Sequence, residues 1–254
     1  MKLTFLGTGS SIGVPQPACS CDVCISPYKE DKRLRSCVCI SDSLSNIIID
    51  SGPDFRSQML GHNINKIDAL LITHAHRDHI AGLDDVRAYN IISKKAMELY
   101  CSLSASYEIK HMFHYMFADD KHSSLPNINI NIIDKDSFFY INGIKISVIE
   151  ARHYKMKVLG FRFNNIAYIT DTNGVDTSEL EKLKNLDILV LNALQQDKHI
   201  SQFSLSEAIE FSNTVKPKKT FFTHIGHQMG LHKEVQEKLK ANMYLAYDGL
   251  ILDF

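Results

Sequence analysis

Thr73-His74-Ala75-His76-Arg77-Asp78-His79 follows directly on the apolar run Ala69-Leu70-Leu71-Ile72 and places four metal-ligating side chains within six residues. The apolar run reads as a buried strand, and the polar segment as the loop that leaves its end. Imidazole and carboxylate together suit Zn, Mn or Fe. Alternate residues leaving a strand can aim His74 and His76 at one ion while Asp78 and His79 turn toward a second. A lone histidine would be an ordinary surface or core residue; this spacing points instead to a binuclear hydrolytic centre.

Such a centre needs more ligands than one loop carries, and three further positions supply them. His153 follows the strand-like Ile144-Lys145-Ile146-Ser147-Val148-Ile149 within Glu150-Ala151-Arg152-His153. Asp171 ends Ile166-Ala167-Tyr168-Ile169-Thr170 and precedes Thr172-Asn173-Gly174, a carboxylate at a strand tip where it can bridge two cations. His224 closes Thr220-Phe221-Phe222-Thr223 and opens His224-Ile225-Gly226-His227.

With these motifs in order, the chain resembles the metallo-β-lactamase superfamily from Lys2 to its terminal strand. The resemblance implies that His74, His76 and His153 bind one ion, that Asp78, His79 and His224 bind the other, and that Asp171 bridges them. It also implies an α/β fold, a four-layered αβ/βα sandwich with the site at one edge of two sheets.

Composition fits that architecture. A chain of 254 residues, 44% hydrophobic, can bury a sizeable core as one domain over residues 1–254 or as two tightly fused halves. Strand-like runs at Leu3-Thr4-Phe5-Leu6, Asn46-Ile47-Ile48-Ile49-Asp50, Ile128-Asn129-Ile130-Asn131-Ile132, Leu186-Asp187-Ile188-Leu189-Val190 and Gly249-Leu250-Ile251-Leu252 alternate with helical patterns. Ser204-Leu205-Ser206-Glu207 has capping-box spacing and predicts a helix start; a second helix is predicted over residues 233–240. Residues 97–122 are ambiguous: Met112, Phe113, Met116 and Phe117 form an apolar helical stripe suited to the core or to a partner subunit, so a homodimer is entertained. His111 and His114 share a face there and are assigned no metal.

Three cysteines in Cys19-Ser20-Cys21-Asp22-Val23-Cys24, within a Cys-rich loop near residues 19–39, argue for metal rather than a disulfide scaffold in a chain this large. Thiolates favour a closed tetrahedral zinc site, for which Cys37, Cys39 and His227 are candidate fourth ligands. Cys101, in apolar surroundings, reads as core. This loop, with Gly7-Thr8-Gly9-Ser10, Asp50-Ser51-Gly52-Pro53-Asp54-Phe55-Arg56, Gly82-Leu83-Asp84-Asp85-Val86-Arg87 and Tyr247-Asp248-Gly249, resembles the PhnP-type subgroup, named for a cyclic phosphodiesterase. That resemblance implies a structural zinc on Cys19, Cys21, Cys24 and His227, beside two active-site cations of Zn, Mn or Fe.

Two cations about 3.5–4 Å apart hold a bridging water, lower its pKa toward roughly 7 and polarise a phosphoryl or acyl oxygen. The expected reaction is phosphodiester hydrolysis by that bridging hydroxide, with Asp78 orienting the water and taking its proton. Relatives of this kind use a loop histidine to protonate the leaving group, and Gln196-Asp197-Lys198-His199-Ile200-Ser201-Gln202-Phe203-Ser204-Leu205 resembles that loop. Gln202 stands where the histidine is expected, so the role passes to His199.

A net charge of −1, from 28 Lys+Arg against 29 Asp+Glu, offers no overall attraction for nucleic acid, and Lys216-Pro217-Lys218-Lys219 reads as a solvated turn. A small cyclic or nucleotide-like phosphodiester is therefore the expected substrate. The alternatives are ribonuclease Z-like cleavage, a glyoxalase II-like thioesterase and a PqqB-like metal-binding accessory role. The sequence opens Met1-Lys2 and enters a strand without a long apolar segment, so a cytoplasmic protein with reduced cysteines and no membrane partner is expected.

Overall fold

The computed structural model describes residues 1–118 and 124–254. The first half supplies β1 (Lys2–Gly7), β2 (Cys37–Ser41), β3 (Asn46–Ile49), β4 (Ala69–Leu71), β5 (Met97–Cys101) and β6 (Ile128–Ile132). The second half supplies β7 (Phe138–Ile141), β8 (Ile144–His153), β9 (Met156–Phe163), β10 (Ile166–Ile169), β11 (Ile188–Asn192), β12 (Lys219–Thr223) and β13 (Met243–Leu245), and β14 (Ile251–Asp253) closes the chain. These form two seven-stranded sheets, in the orders β14-β1-β2-β3-β4-β5-β6 and β13-β12-β11-β10-β9-β8-β7. Each sheet begins as an antiparallel meander and continues in parallel strands, β3 to β6 in the first and β10 to β13 in the second.

Period-two alternation explains why the sheets stack. Along β3, Ile47 and Ile49 enter the core between the sheets while Ile48 faces the outer core. Along β11, Val190 faces inward and Leu189 and Leu191 face outward. The outer faces are covered by helices, which gives the expected four layers: α2 (Phe55–Gly61), α3 (Arg77–Ile80), α4 (Arg87–Ser93) and α5 (Leu103–Met112) in the first half, and α6 (Leu205–Val215) and α7 (His232–Gln236) in the second, while the short α1 (Asp22–Ile25) packs with Val14 beside the Cys-rich loop.

The capping box forms as predicted: Ser204 Oγ accepts from Glu207 N while the Glu207 carboxylate accepts from Ser204 N. The helix predicted over 233–240 is shorter, because Lys238 N and Leu239 N bond to carbonyls three residues back and the chain turns into β13. Residues 97–118 are not one helix but β5, α5 and a short 3₁₀ turn, His114–Met116. Phe113 and Met116 are buried in this chain's own outer core, so the stripe packs inward and gives no ground for a subunit interface. The end of that ambiguous stretch, through His122, lies outside the described residues. Among the described residues, no helix is long and apolar enough to cross a membrane.

Candidate metal centre

The ligand set assembles at strand ends, those of the parallel β4, β10 and β12 and of the antiparallel β8. His74 and His76 lie in the loop after β4, Asp78 and His79 in α3, and His153 is the last residue of β8. Asp171 and His224 lie just beyond β10 and β12. Asp171, His224 and Asp50, which follows β3, adopt left-handed backbone conformations with φ of 53°, 56° and 66°. Non-glycine residues there are uncommon, and three around one cluster mark backbone bent to aim side chains.

Three triads each bring their ligand atoms within 4.8 Å of one another: His74, His76 and His153; His74, His79 and Asp171; Asp78, His79 and His224. Asp171 Oδ2 lies 3.1 Å from the Nε2 atoms of both His79 and His224. Those two nitrogens are buried and have no hydrogen-bond partner. Buried donors turned toward a carboxylate without hydrogen-bond geometry fit a cation between them, so the donor set suits divalent metal.

Partners behind the ligands fix their orientation. Asp50 Oδ2 holds His79 Nδ1 at 2.7 Å, leaving Nε2 for the cluster. Thr73 Oγ1 lies 3.0 Å from His74 Nδ1 and donates to Asp50, and His153 Nδ1 donates to the Ser201 carbonyl at 2.9 Å. Gly52 lets this loop close: a Cβ there would sit 2.0 Å from the Asp78 carbonyl oxygen.

Burial pulls the His74 imidazole well below its ordinary range, which keeps it neutral as a ligand must be. Burial also opposes charge on His79, but Asp50, Asp171 and Asp78 outweigh it and raise that imidazole well above its usual value. Burial would raise Asp78 and Asp171 likewise, yet His79 and His224 hold both well below the carboxylate range. The cluster is thus a pocket of negative charge suited to cations.

The Cys-rich loop makes a second cluster. Cys19, Cys21 and Cys24 place their Sγ atoms 3.3, 3.4 and 3.5 Å from His227 Nδ1. A tetrahedral zinc with one nitrogen and three sulfur ligands has S–N edges of about 3.5 Å, so the donor set fits that ion. The Cys24 amide and His227 bring the Cys21 thiol down to about 6. The alternative fourth ligands lie elsewhere: Cys37 and Cys39 are buried on β2, where Cys37 donates to the Asp50 carbonyl at 3.2 Å. Cys101 is buried in the outer core, as expected.

Residues 45–225 match the family model described as the beta-lactamase superfamily domain. The chain belongs to that superfamily. Within it the chain is PhnP-like: a solved structure described as a new diphosphatase from the PhnP family is 36% identical, covers 100% of this chain and 97% of that one, and superposes with a TM-score of 0.92. Zinc-bound PqqB from Methylobacterium extorquens, at 18% identity with both chains fully covered and a TM-score of 0.79, shares the fold. A Porphyromonas gingivalis protein named octanoyltransferase is 32% identical over 252 residues, 98% of this chain but 51% of that one. The chain therefore spans about half the length of that curated relative.

In this superfamily member the ligand cluster opens into a cleft of about 300 Å³ bordered by His76, His153, His199, Gln202, His227 and the turn from Ser10 to Gly13. Among the described residues no Lys, Arg, Asp or Glu lines it. Larger grooves of about 410 and 520 Å³ contain none of the triads. His199 lies exposed at the rim, with Nδ1 3.2 Å from Ser201 Oγ. Gln202 is buried, and its Nε2 donates to Asp171 Oδ1 at 2.6 Å.

Sequence reasoning quoted the Asp50 motif but gave that residue no role. Its signal was available, an acid closing an apolar strand before Ser51-Gly52, the same pattern that singled out Asp171. Thr73 and the Ser201 carbonyl carry no such signal, because backbone and hydroxyl partners are set by tertiary approach.

Proposed function

We propose that this hydrolase acts on a small cyclic or nucleotide-like phosphodiester, cleaving a P–O bond with water. The observation that carries the reading is a cluster of seven His and Asp ligands that meets, through His76 and His153, a small cleft whose lining among the described residues carries no charged side chain apart from histidine. Phosphoryl charge then has to be neutralised by cations rather than by Lys or Arg. The resemblance to a PhnP-family diphosphatase supports the same chemistry.

In this reading His74, His76 and His153 hold one divalent ion, Asp78, His79 and His224 the other, and Asp171 is shared; Cys19, Cys21, Cys24 and His227 hold a structural zinc. When bound, the paired ions lower the pKa of water and neutralise charge on the phosphoryl oxygens. Asp78 orients the attacking water and takes its proton at a carboxylate oxygen. Asp50 keeps His79 in the tautomer that presents Nε2, and the Ser201 carbonyl does the same for His153. The cleft volume limits the substrate to a small molecule, and its neutral walls offer none of the phosphate-tracking cations that an RNA substrate requires.

The test uses protein stripped of metal and reloaded separately with Mn and Zn, assayed on an activated aryl phosphodiester and on glutathione and octanoyl thioesters. Diester turnover that disappears in Asp78→Ala while the fold is retained is the expected result. Thioester turnover alone would move the activity to acyl transfer to water, and metal occupancy with no turnover of either would favour an accessory role.

A further inference from the structure

His79 and His224 approach one oxygen of the shared carboxylate, Asp171 Oδ2, and the buried side chain that reaches the other, Oδ1, is Gln202. Gln202 presents its NH₂ group to Asp171 Oδ1 at 2.6 Å. The other amide atom, Oε1, is buried without a partner on the side of a residue that lines the cleft. An unsatisfied buried acceptor costs about 1–3 kcal/mol, a cost set against the bond that the same amide makes to Asp171. A carboxamide has no proton to give near neutral pH. His199, the nearest histidine in sequence, is exposed at the rim, and its Nδ1 is engaged with Ser201.

From this arrangement we infer that Gln202 sets leaving-group selectivity: the site cleaves P–O bonds whose departing oxygen is stable as an anion, above all the P–O–P bond of a nucleotide-like diphosphate, and discriminates against alkoxide leaving groups. The inference rests on the phosphohydrolase reading and narrows it, setting a nucleotide-like diphosphate ahead of the cyclic diester, whose ring opening expels an alkoxide. One water is consumed. Its oxygen bonds to phosphorus, its proton passes to Asp78, and the bond to the leaving oxygen breaks with the electron pair remaining on that oxygen. When the leaving group is a phosphate, the oxygen needs no proton to depart, whereas an alkoxide does. Gln202 is a positioning residue in this scheme. Its NH₂ fixes Asp171.

The experiment compares a nucleoside phosphodiester with an aryl leaving group, its ethyl counterpart and a dinucleoside diphosphate, in native protein, Gln202→His, Gln202→Ala and His199→Ala, with metal content and thermal stability measured for each. Native protein should cleave the diphosphate and the aryl ester at least about 100-fold faster than the ethyl ester, the scale of a missing general acid. Gln202→His should raise ethyl-ester turnover at least tenfold and add an alkaline limb to the pH profile of kcat/KM. Gln202→Ala should lower kcat and weaken metal retention against a chelator while keeping the preference for anionic leaving groups, so the test survives if the histidine variant fails to fold. Equal native rates on ethyl and aryl esters, or a loss in His199→Ala confined to the ethyl ester, would overturn the inference and return the proton-donor role to His199. No metal-dependent hydrolysis of any phosphoester would instead overturn the phosphohydrolase reading beneath it.

Discussion

The two ligand clusters are built in opposite ways. The His/Asp cluster draws its side chains from strand ends of both sheets, and His74, His79, Asp171 and His224 are all buried. There the cores on both faces of each sheet fix the ligands, so the protein creates the site. The Cys cluster takes three ligands from a six-residue loop with Cys21 exposed, and the apolar core beside it consists of Val14, Val23 and Cys24. So small a core gives the loop little support, and in the proposed reading a zinc bound there would organise the local structure. A preformed site should lose chemistry and keep its fold when a ligand is removed. A site formed by its ion should lose stability first.

The sharpest break in that comparison is Asp171→Ala. Removing the shared carboxylate should lower phosphoester turnover roughly a thousandfold or more, with the circular dichroism spectrum unchanged. Unfolding of that variant would mean that the cluster is not preformed. Asp50→Asn comes next, because it removes the charge behind His79 while keeping the shape. A fall of about 10–100-fold in metal affinity is expected by competition with a chelator.

For the Cys cluster, Cys21→Ser should abolish one bound zinc per chain and lower Tm by roughly 5–10 °C, corresponding to about 2–3 kcal/mol. Turnover per fully loaded active site should change less than tenfold, since His224 and His227 share a segment but belong to different clusters. A Cys21→Ser protein with native Tm would place the two sites on the same footing.

The smallest effect lies at a seam that depends on neither metal. The carboxylate of Asp248 accepts from Thr8 N and Oγ1 and from Leu34 N, tying the Gly7-Thr8-Gly9-Ser10 turn to the C-terminal strand. Burial pushes its carboxyl up to about 6, against the bonds from Leu34 and Thr8 and the nearby Arg33 guanidinium. The folded state therefore holds this proton more tightly than the unfolded state. Its contribution to stability declines as pH rises from near 4 to 6 and is level above that. Denaturant titrations of native protein minus those of Asp248→Asn should show a decline on the order of 2 kcal/mol over this window. A rise with pH would show that the bonds and Arg33 outweigh burial.

Much of the active cluster was legible because a metal imposes residue types at strand ends, and strand ends follow from apolar runs. His74, His76, Asp78, His79, Asp171 and His224 each stand just after such a run, while His153 closes the longer β8. The shorter α7 and the broken 97–118 segment were less legible. Residues 233–240 keep helical composition past the point where the chain must turn into β13, and Phe113 and Met116 read as a stripe although the helix ends at Met112.

The sequence by itself determined the ligand types, their order and an α/β alternation of strands and helices, because burial pattern and metal-ligand chemistry are written in local spacing, while the four-layered sandwich came as what the family resemblance implies. Only the tertiary structure decided which ligand meets which. His227 lies more than 200 residues from the thiols it joins, and Cys37 and Cys39 are turned into the core although they are nearer in sequence. It also placed Gln202 on Asp171, Asp50 behind His79, and Gly52 against Asp78. Hydrogen bonds of that kind depend on a few ångströms between distant segments, a distance set by how two sheets pack rather than by any run of residues.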